Sequence, residues 1–374
     1  SASSSMYTHD VSGTDDTASN NTAYGFTAMD AITTGDNNAA FGHNALGANT
    51  TGAQNVALGR NTLKTNTTGD YNVAVGDAAL DVNSTGDNNV GIGSDALGFN
   101  TTGSDNVAVG YGALSKNTTG TRNLAIGANA YDASDTENDN LAIGYNAMTT
   151  NTAGGTLNVA VGNYALDALT SGDYNVAVGY NALTGNTVSS ENTAIGYGTL
   201  TAATGSLNTA VGYNALTVNT GARNTAVGIE AGLTMTDGEK NTFVGERAGR
   251  LATGSDNTFV GSQSGTTTST GASNVAVGTK ALTLNTTGSQ NVAVGKDALD
   301  SNTTGADNVA MGTDALQANT TGNRNVAIGK DALTTSHNGD DCVAIGKGAL
   351  SANTGGENIA VGTSAADANT SGVR

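Results

Sequence analysis

A 17-residue unit repeats through nearly the whole chain, and this period constrains the fold more than any single motif. The unit is complete in Asn291-Val-Ala-Val-Gly-Lys-Asp-Ala-Leu-Asp-Ser-Asn-Thr-Thr-Gly-Ala-Asp, and Asn308 begins it again. With the Asn before each apolar triplet as position 1, copies begin at 21, 38, 55, 72, 89, 106, 123, 140, 158, 175, 192, 208, 224, 241, 257, 274, 291, 308, 325, 342 and 358. The spacing is 17 in most steps, 18 once after 140, and 16 after 192, 208, 241 and 342. Position 5 is Gly in all 21 copies, and position 1 is Asn in 20, with Cys342 the exception. Positions 3 and 8 are each Ala in 18 copies, position 9 is usually Leu, and Asn-Thr-Thr-Gly or a close variant falls near positions 12 to 15.

Such a unit is too short for a strand plus a real helix, and no segment holds a 3.6-residue period. Positions 1 to 5 alternate as a β-strand does. Gly at position 5 ends the strand at a corner, and positions 6 and 7 are polar and variable. Positions 8 and 9 read as a second short strand. Asn-Thr-Thr-Gly reads as the return turn, with Asn and Gly as its left-handed residues. The expected fold is all-β: a parallel β-solenoid or β-roll of 21 coils over residues 21–374, behind an irregular leader or cap at 1–20. Coils stacked about 4.8 Å apart predict a rod of about 100 Å. The Asn at position 1, as in Asn291, Asn308 and Asn325, then either forms a hydrogen-bonded ladder or serves as a turn residue opening each strand. The last copy would hand over to another at residue 375. That points to a longer natural chain or to another chain stacked on this end.

One exchange inside the array locates the lumen. In the copies at 241 and 257, position 3 is Phe243 and Phe259 where Ala is usual, and position 9 is Gly249 and Gly265 where Leu is usual. Large and small have traded places, so positions 3 and 9 share one enclosed space of fixed volume. Positions 2 and 4 point the other way and are apolar too, as in Val73 and Val75, Val107 and Val109, Val292 and Val294. A soluble chain rarely leaves a long apolar stripe open. Self-association along the rod is therefore expected.

Composition narrows the function classes. The net charge is −18, with only 14 Lys and Arg, so neither nucleic acid nor an anionic membrane surface is an expected partner. No apolar run is long enough to insert in a membrane. Aromatics are 4% and Trp is absent, too little for a thick core. Proline is absent, which suits backbone that must bond above and below at every coil. One cysteine, Cys342, allows no internal disulfide.

No catalytic set, metal site or cofactor is nominated. His9, His43 and His337 lack a second ligand at metal spacing, and the acidic pairs Asp15-Asp16 and Asp340-Asp341 lie in turns. The calcium-binding Gly-Gly-x-Gly-x-Asp repeat does not occur. The candidate binding residues are aromatic. Tyr180, Tyr197 and Tyr213 occupy position 6 in successive coils, and Tyr111 and Tyr145 hold the same position. Such a row either offers ring faces to a glycan or stabilises the stack as a cross-coil aromatic ladder.

The core Asn-Val-Ala-Val-Gly-x-x-Ala-Leu resembles the head repeat of YadA-type trimeric autotransporter adhesins. The longer unit, as in Asn208-Thr-Ala-Val-Gly-Tyr-Asn-Ala-Leu-Thr-Val-Asn-Thr-Gly, is similar to repeats of bacteriophage tail fibres. The resemblance spans residues 21–374. It implies a left-handed β-roll, three chains about one axis, and a virion or cell-surface location. The return turn is longer than in the adhesin repeat. The reading expected is a non-enzymatic homotrimeric fibre: the shaft or receptor-binding part of a phage tail fibre, meeting a host glycan or protein receptor. A bacterial or archaeal adhesin or extracellular filament is the alternative. Ice binding is a lesser one, since the adjacent Thr residues of the return turn point in different directions. Glycan cleavage is the last.

Overall fold

Positions 2 to 4 hold β-branched or small apolar residues between Asn and Gly, and strands form there. The computed structural model describes residues 6–7, 17–151, 154–335 and 338–370. Two compact units, residues 1–191 and 192–374, divide the chain. In the first, a two-residue strand β1 (Met6–Tyr7) precedes ten three-residue strands, from β2 (Thr22–Tyr24) to β11 (Val176–Val178). In the second, eleven three-residue strands run from β12 (Thr193–Ile195) to β22 (Ile359–Val361). Within each unit consecutive strands pair in parallel, like position on like: Val56 on Val73 in one, Val292 on Val309 in the other. The described residues contain no helix. The chain is an all-β parallel β-solenoid of about 17 residues per coil. Pairing begins before residue 21, because Met6 of β1 lies against Thr22.

The rest of each coil is turn, with no second strand at positions 8 and 9. The expected extended backbone is broken by left-handed residues on either side of position 8: Asn61 at φ 59° and Leu63 at φ 46°. This alternation points successive N–H groups up and down the stack. Asn61 donates to the carbonyl of His43 in the coil before (2.9 Å), and Leu63 to that of Ala79 in the coil after (3.1 Å). A left-handed Leu costs roughly 1–2 kcal/mol. Burying its side chain contributes roughly 1.5–3 kcal/mol, and pairing an N–H otherwise orphaned in the interior contributes a further ~1 kcal/mol or more. The balance favours the strained turn.

The return turn also differs from expectation. Its left-handed residue is position 17, as in Tyr71 at φ 59°, and not the Asn or Gly of Asn-Thr-Thr-Gly. Gly at position 5 is needed for close approach: a Cβ on Gly59 would sit 2.6 Å from the carbonyl oxygen of Gly76 in the next coil.

The lumen is lined by positions 3, 8 and 9. Ala57, Ala79 and Leu80 are fully buried, as are their equivalents in every coil but the last, where Ala365 is half-buried and Ala366 exposed. The large–small exchange is visible here. Phe243 and Phe259 stack at 5.4 Å, and a Cβ on Gly265 would lie 2.4 Å from the Phe259 ring. A third glycine joins them. The copy at 224 has Gly232 at position 9 without a Phe of its own, and the ring of Phe243 leans into that space from the next coil (2.9 Å from a built Cβ).

Candidate functional site

With position 3 facing the lumen, positions 2 and 4 face outward. Val56 and Leu58 flank the buried Ala57 and are 41% and 50% exposed. The same order, inward Ala between two outward apolar residues, holds at Val90–Ile92, Leu124–Ile126, Val275–Val277 and Val326–Ile328. Each unit therefore carries one sheet face with two rows, in register from coil to coil, made chiefly of Val, Ile, Leu and Met. Most of these side chains are partly open to solvent.

The face is not uniform. Five successive strands of the second unit begin with Thr at position 2: Thr193, Thr209, Thr225, Thr242 and Thr258. They pair in register, Thr209 between Thr193 and Thr225, and Thr242 between Thr225 and Thr258. None of the five hydroxyls hydrogen-bonds within the chain, whereas Thr in the return turn does, as Thr50 Oγ1 to the Thr67 carbonyl at 3.0 Å. Position 4 opposite them stays apolar, from Ile195 to Val260. The block is legible in the sequence as Asn-Thr at positions 1 and 2 of five successive copies.

The aromatic row sits at the corner after the strand. Tyr111, Tyr145, Tyr180, Tyr197 and Tyr213 are all exposed. In the first unit Tyr164, at position 7, fills the gap left by Asn163. Its ring meets Tyr145 edge-on at 5.5 Å and Tyr180 at 5.9 Å. Asn163 turns away to accept the Tyr145 N–H at 2.9 Å. In the second unit Tyr197 and Tyr213 stack nearly parallel at 5.3 Å. Rings thus meet edge to face in the first unit and face to face in the second.

Two asparagine ladders run through the buried edge of each unit. Asn308 Nδ2 donates to Asn291 Oδ1 (3.1 Å) and Asn325 Nδ2 to Asn308 Oδ1 (3.1 Å). The same carbonyl oxygen accepts the next backbone N–H, as Asn291 Oδ1 does from Asn308 (3.1 Å). The second ladder, at position 12, is hidden in the return turn: Asn66 donates to Asn49 at 3.0 Å and Asn302 to Asn285 at 2.8 Å. Both amides of one coil also donate to the Gly carbonyl at position 15, as Asn55 and Asn66 do to Gly69 (2.9 Å each). Where position 12 is Ser134, the buried Tyr131 hydroxyl takes over, accepting from Asn140 at 2.5 Å and Asn151 at 3.2 Å. Burial pushes that phenol well above its ordinary pKa. Cys342 is buried in the first ladder, where its sulfur accepts the Asn358 N–H at 3.4 Å.

Charged groups form rungs between coils on the outside: Arg60 with Asp77, Arg122 with Asp139, Arg324 with Asp341, and Glu230 with Arg247 and Arg250. Among the described residues no group of three His, Cys, Asp or Glu is placed to hold a metal. His43 stacks on Phe26 at 5.7 Å, while His9 and His337 lie outside the described residues, as do Asp15 and Asp16. No helix among the described residues is long and apolar enough to cross a membrane. No family model matches the chain, and no curated protein is similar to it.

Proposed function

We propose that this chain is the structural subunit of a self-associating fibre, the shaft or receptor-binding part of a phage tail fibre that mediates host attachment. One observation carries the reading: the outward sheet face of each unit, with its two in-register rows of apolar side chains. Ten coils of one unit, with outward side chains partly open, offer on the order of 1,000 Å². That exceeds the roughly 800 Å² each partner contributes to a standard stable interface. Three copies sharing these faces would remove them from water. The assignment to a tail fibre comes from the repeat resemblance, and the acidic surface is in keeping with a particle that must not bind nucleic acid.

Light scattering at micromolar concentration should give a mass near three times 36.7 kDa. A stable single-chain mass overturns the reading. Gold-labelled antibody on virions then separates its two forms. Label at the tips or shafts of tail fibres supports the phage assignment, and open-ended filaments on cells would replace it with the adhesin or filament alternative.

A further inference from the structure

We propose that the block of five outward threonines, Thr193, Thr209, Thr225, Thr242 and Thr258, sets the axial register in which copies of this chain associate, each block facing the same block on a second copy. The inference rests on the self-association proposed above and adds what that proposal lacks. A face made only of repeating Val and Ile looks the same after translation by one coil. Copies could then slide along one another in whole-coil steps, losing only overlap at the ends. The threonine block breaks this degeneracy.

In register, a row of hydroxyls meets a row of hydroxyls, and each can donate to one neighbour and accept from another. Displaced by one coil, the block leaves Thr258 opposite an apolar residue: the next strand of the same unit, β17 (Val275–Val277), has Val275 at position 2. Displaced by five coils, all five are mismatched. These hydroxyls have no partner inside the chain, so burial against Val strands them. A stranded buried hydroxyl disfavours a state by roughly tenfold. A single polar position fixes register in the otherwise apolar seams of coiled coils by the same physics. The occupant of the face is a second copy, because only an identical block at identical spacing, 16, 16, 17 and 16 residues apart, matches every rung.

The test uses the full chain with Cys342→Asn, which restores the usual residue at position 1, and Thr279→Cys, an exposed corner position, carrying a nitroxide label. Electron–electron dipolar spectroscopy on the oligomer should give one narrow inter-chain distance. Replacing the five threonines with Val should add longer distances from slipped assemblies at unchanged oligomer mass. A single unchanged distance in the Val variant overturns the proposal. A monomer mass in the wild-type chain overturns the self-association reading itself, and is distinguished by that mass. Should five substitutions perturb folding, Thr209→Val with Thr225→Val and Thr242→Val gives the same comparison. A second measurement needs no slipped state. Wild-type and Val-substituted chains with tags of different size, refolded together, should sort by native mass spectrometry into like-with-like oligomers. Statistical mixing counts against the block as a register device.

Discussion

At the scale of single residues, the lumen tolerates change only when volume is conserved. Gly265→Leu would drive a side chain into the Phe259 ring, and Phe259→Ala would open a cavity where Gly265 cannot fill it. Phe259→Ala should lower unfolding stability by about 3–5 kcal/mol. The double variant Phe259→Ala with Gly265→Leu rebuilds the common Ala–Leu pair, and urea unfolding should show it recovering most of that loss. Simple addition of the two penalties would mean that positions 3 and 9 do not share one space. Tyr131 offers an independent check. Its phenol is raised by burial, so the folded state holds it protonated above the pH at which the unfolded chain ionises, near 10. The stability it contributes is full below that pH and is lost as pH rises from there towards the folded value. In a spectrophotometric titration Tyr131 should stay silent until the fold opens. Tyr131→Phe, which takes one acceptor from the amides of Asn140 and Asn151 and leaves both their bonds to the Gly155 carbonyl, should remove that late step and lower stability by about 1 kcal/mol.

At the scale of the coil, the two asparagine ladders hold the return turn to the strand. Asn291→Ala would orphan the buried N–H of Asn308 and leave the Gly305 carbonyl with Asn302 as its one remaining amide donor. A loss of about 2–4 kcal/mol is expected, from one full unmet donor and one weakened acceptor. Amide exchange should speed up at Asn308 and its neighbours first, and an even rise over the whole unit would contradict a local role. The first ladder could be anticipated from the repeat, since Asn recurs where Thr or Asp would make as good a turn. The second could not, because Asn before Thr-Thr-Gly already has a sufficient explanation as a turn residue. The charged rungs act at this scale as well. The guanidinium of Arg122, by hydrogen bond and charge, holds the Asp139 carboxyl below its usual range, and Arg324 does the same to Asp341. A depressed carboxyl stabilises above its unfolded pKa, about 4, and the contribution fades as pH falls through the folded value. Melting temperature should therefore decline below pH 4. Asp139→Asn with Asp341→Asn should flatten that decline while leaving neutral stability little changed, as exposed pairs are worth little.

At the scale of the molecule, each unit is a stack in which a coil touches only its neighbours, so stability is a sum of coil and interface terms. Removing one whole repeat, residues 308–324, joins Asp307 to Asn325 and keeps every position in phase. Circular dichroism should be unchanged in shape, with only a small drop in melting temperature. Removing residues 308–315 instead puts polar corner residues into the lumen and should unfold several coils around the cut. Equal effects from the two deletions would show that phase does not matter. The outward apolar rows belong to this scale too, because no rearrangement within a coil can hide them. Leu58→Asp with Val56→Asp, on the most open rung of the first unit's interior, should weaken self-association without unfolding the coil, as read by sedimentation against far-ultraviolet spectra.

The linear order of residues determined the period, the parallel stacking of like on like, and the pairing of positions 3 and 9 in one lumen. Each of these follows from recurrence alone, and the Phe–Gly exchange reports a conserved volume without coordinates. Tertiary structure decided the path between the strands. The left-handed backbone at Asn61, Leu63 and Tyr71 runs against local preference, and it persists because the coils above and below supply its hydrogen bonds. Those partners are a full repeat away along the chain, so no local reading of the turn could weigh them. The stack also decided how open the outward face is. Alternation says only that two faces differ, and it takes the closed coil to seal Ala57 completely while leaving Val56 and Leu58 in the open.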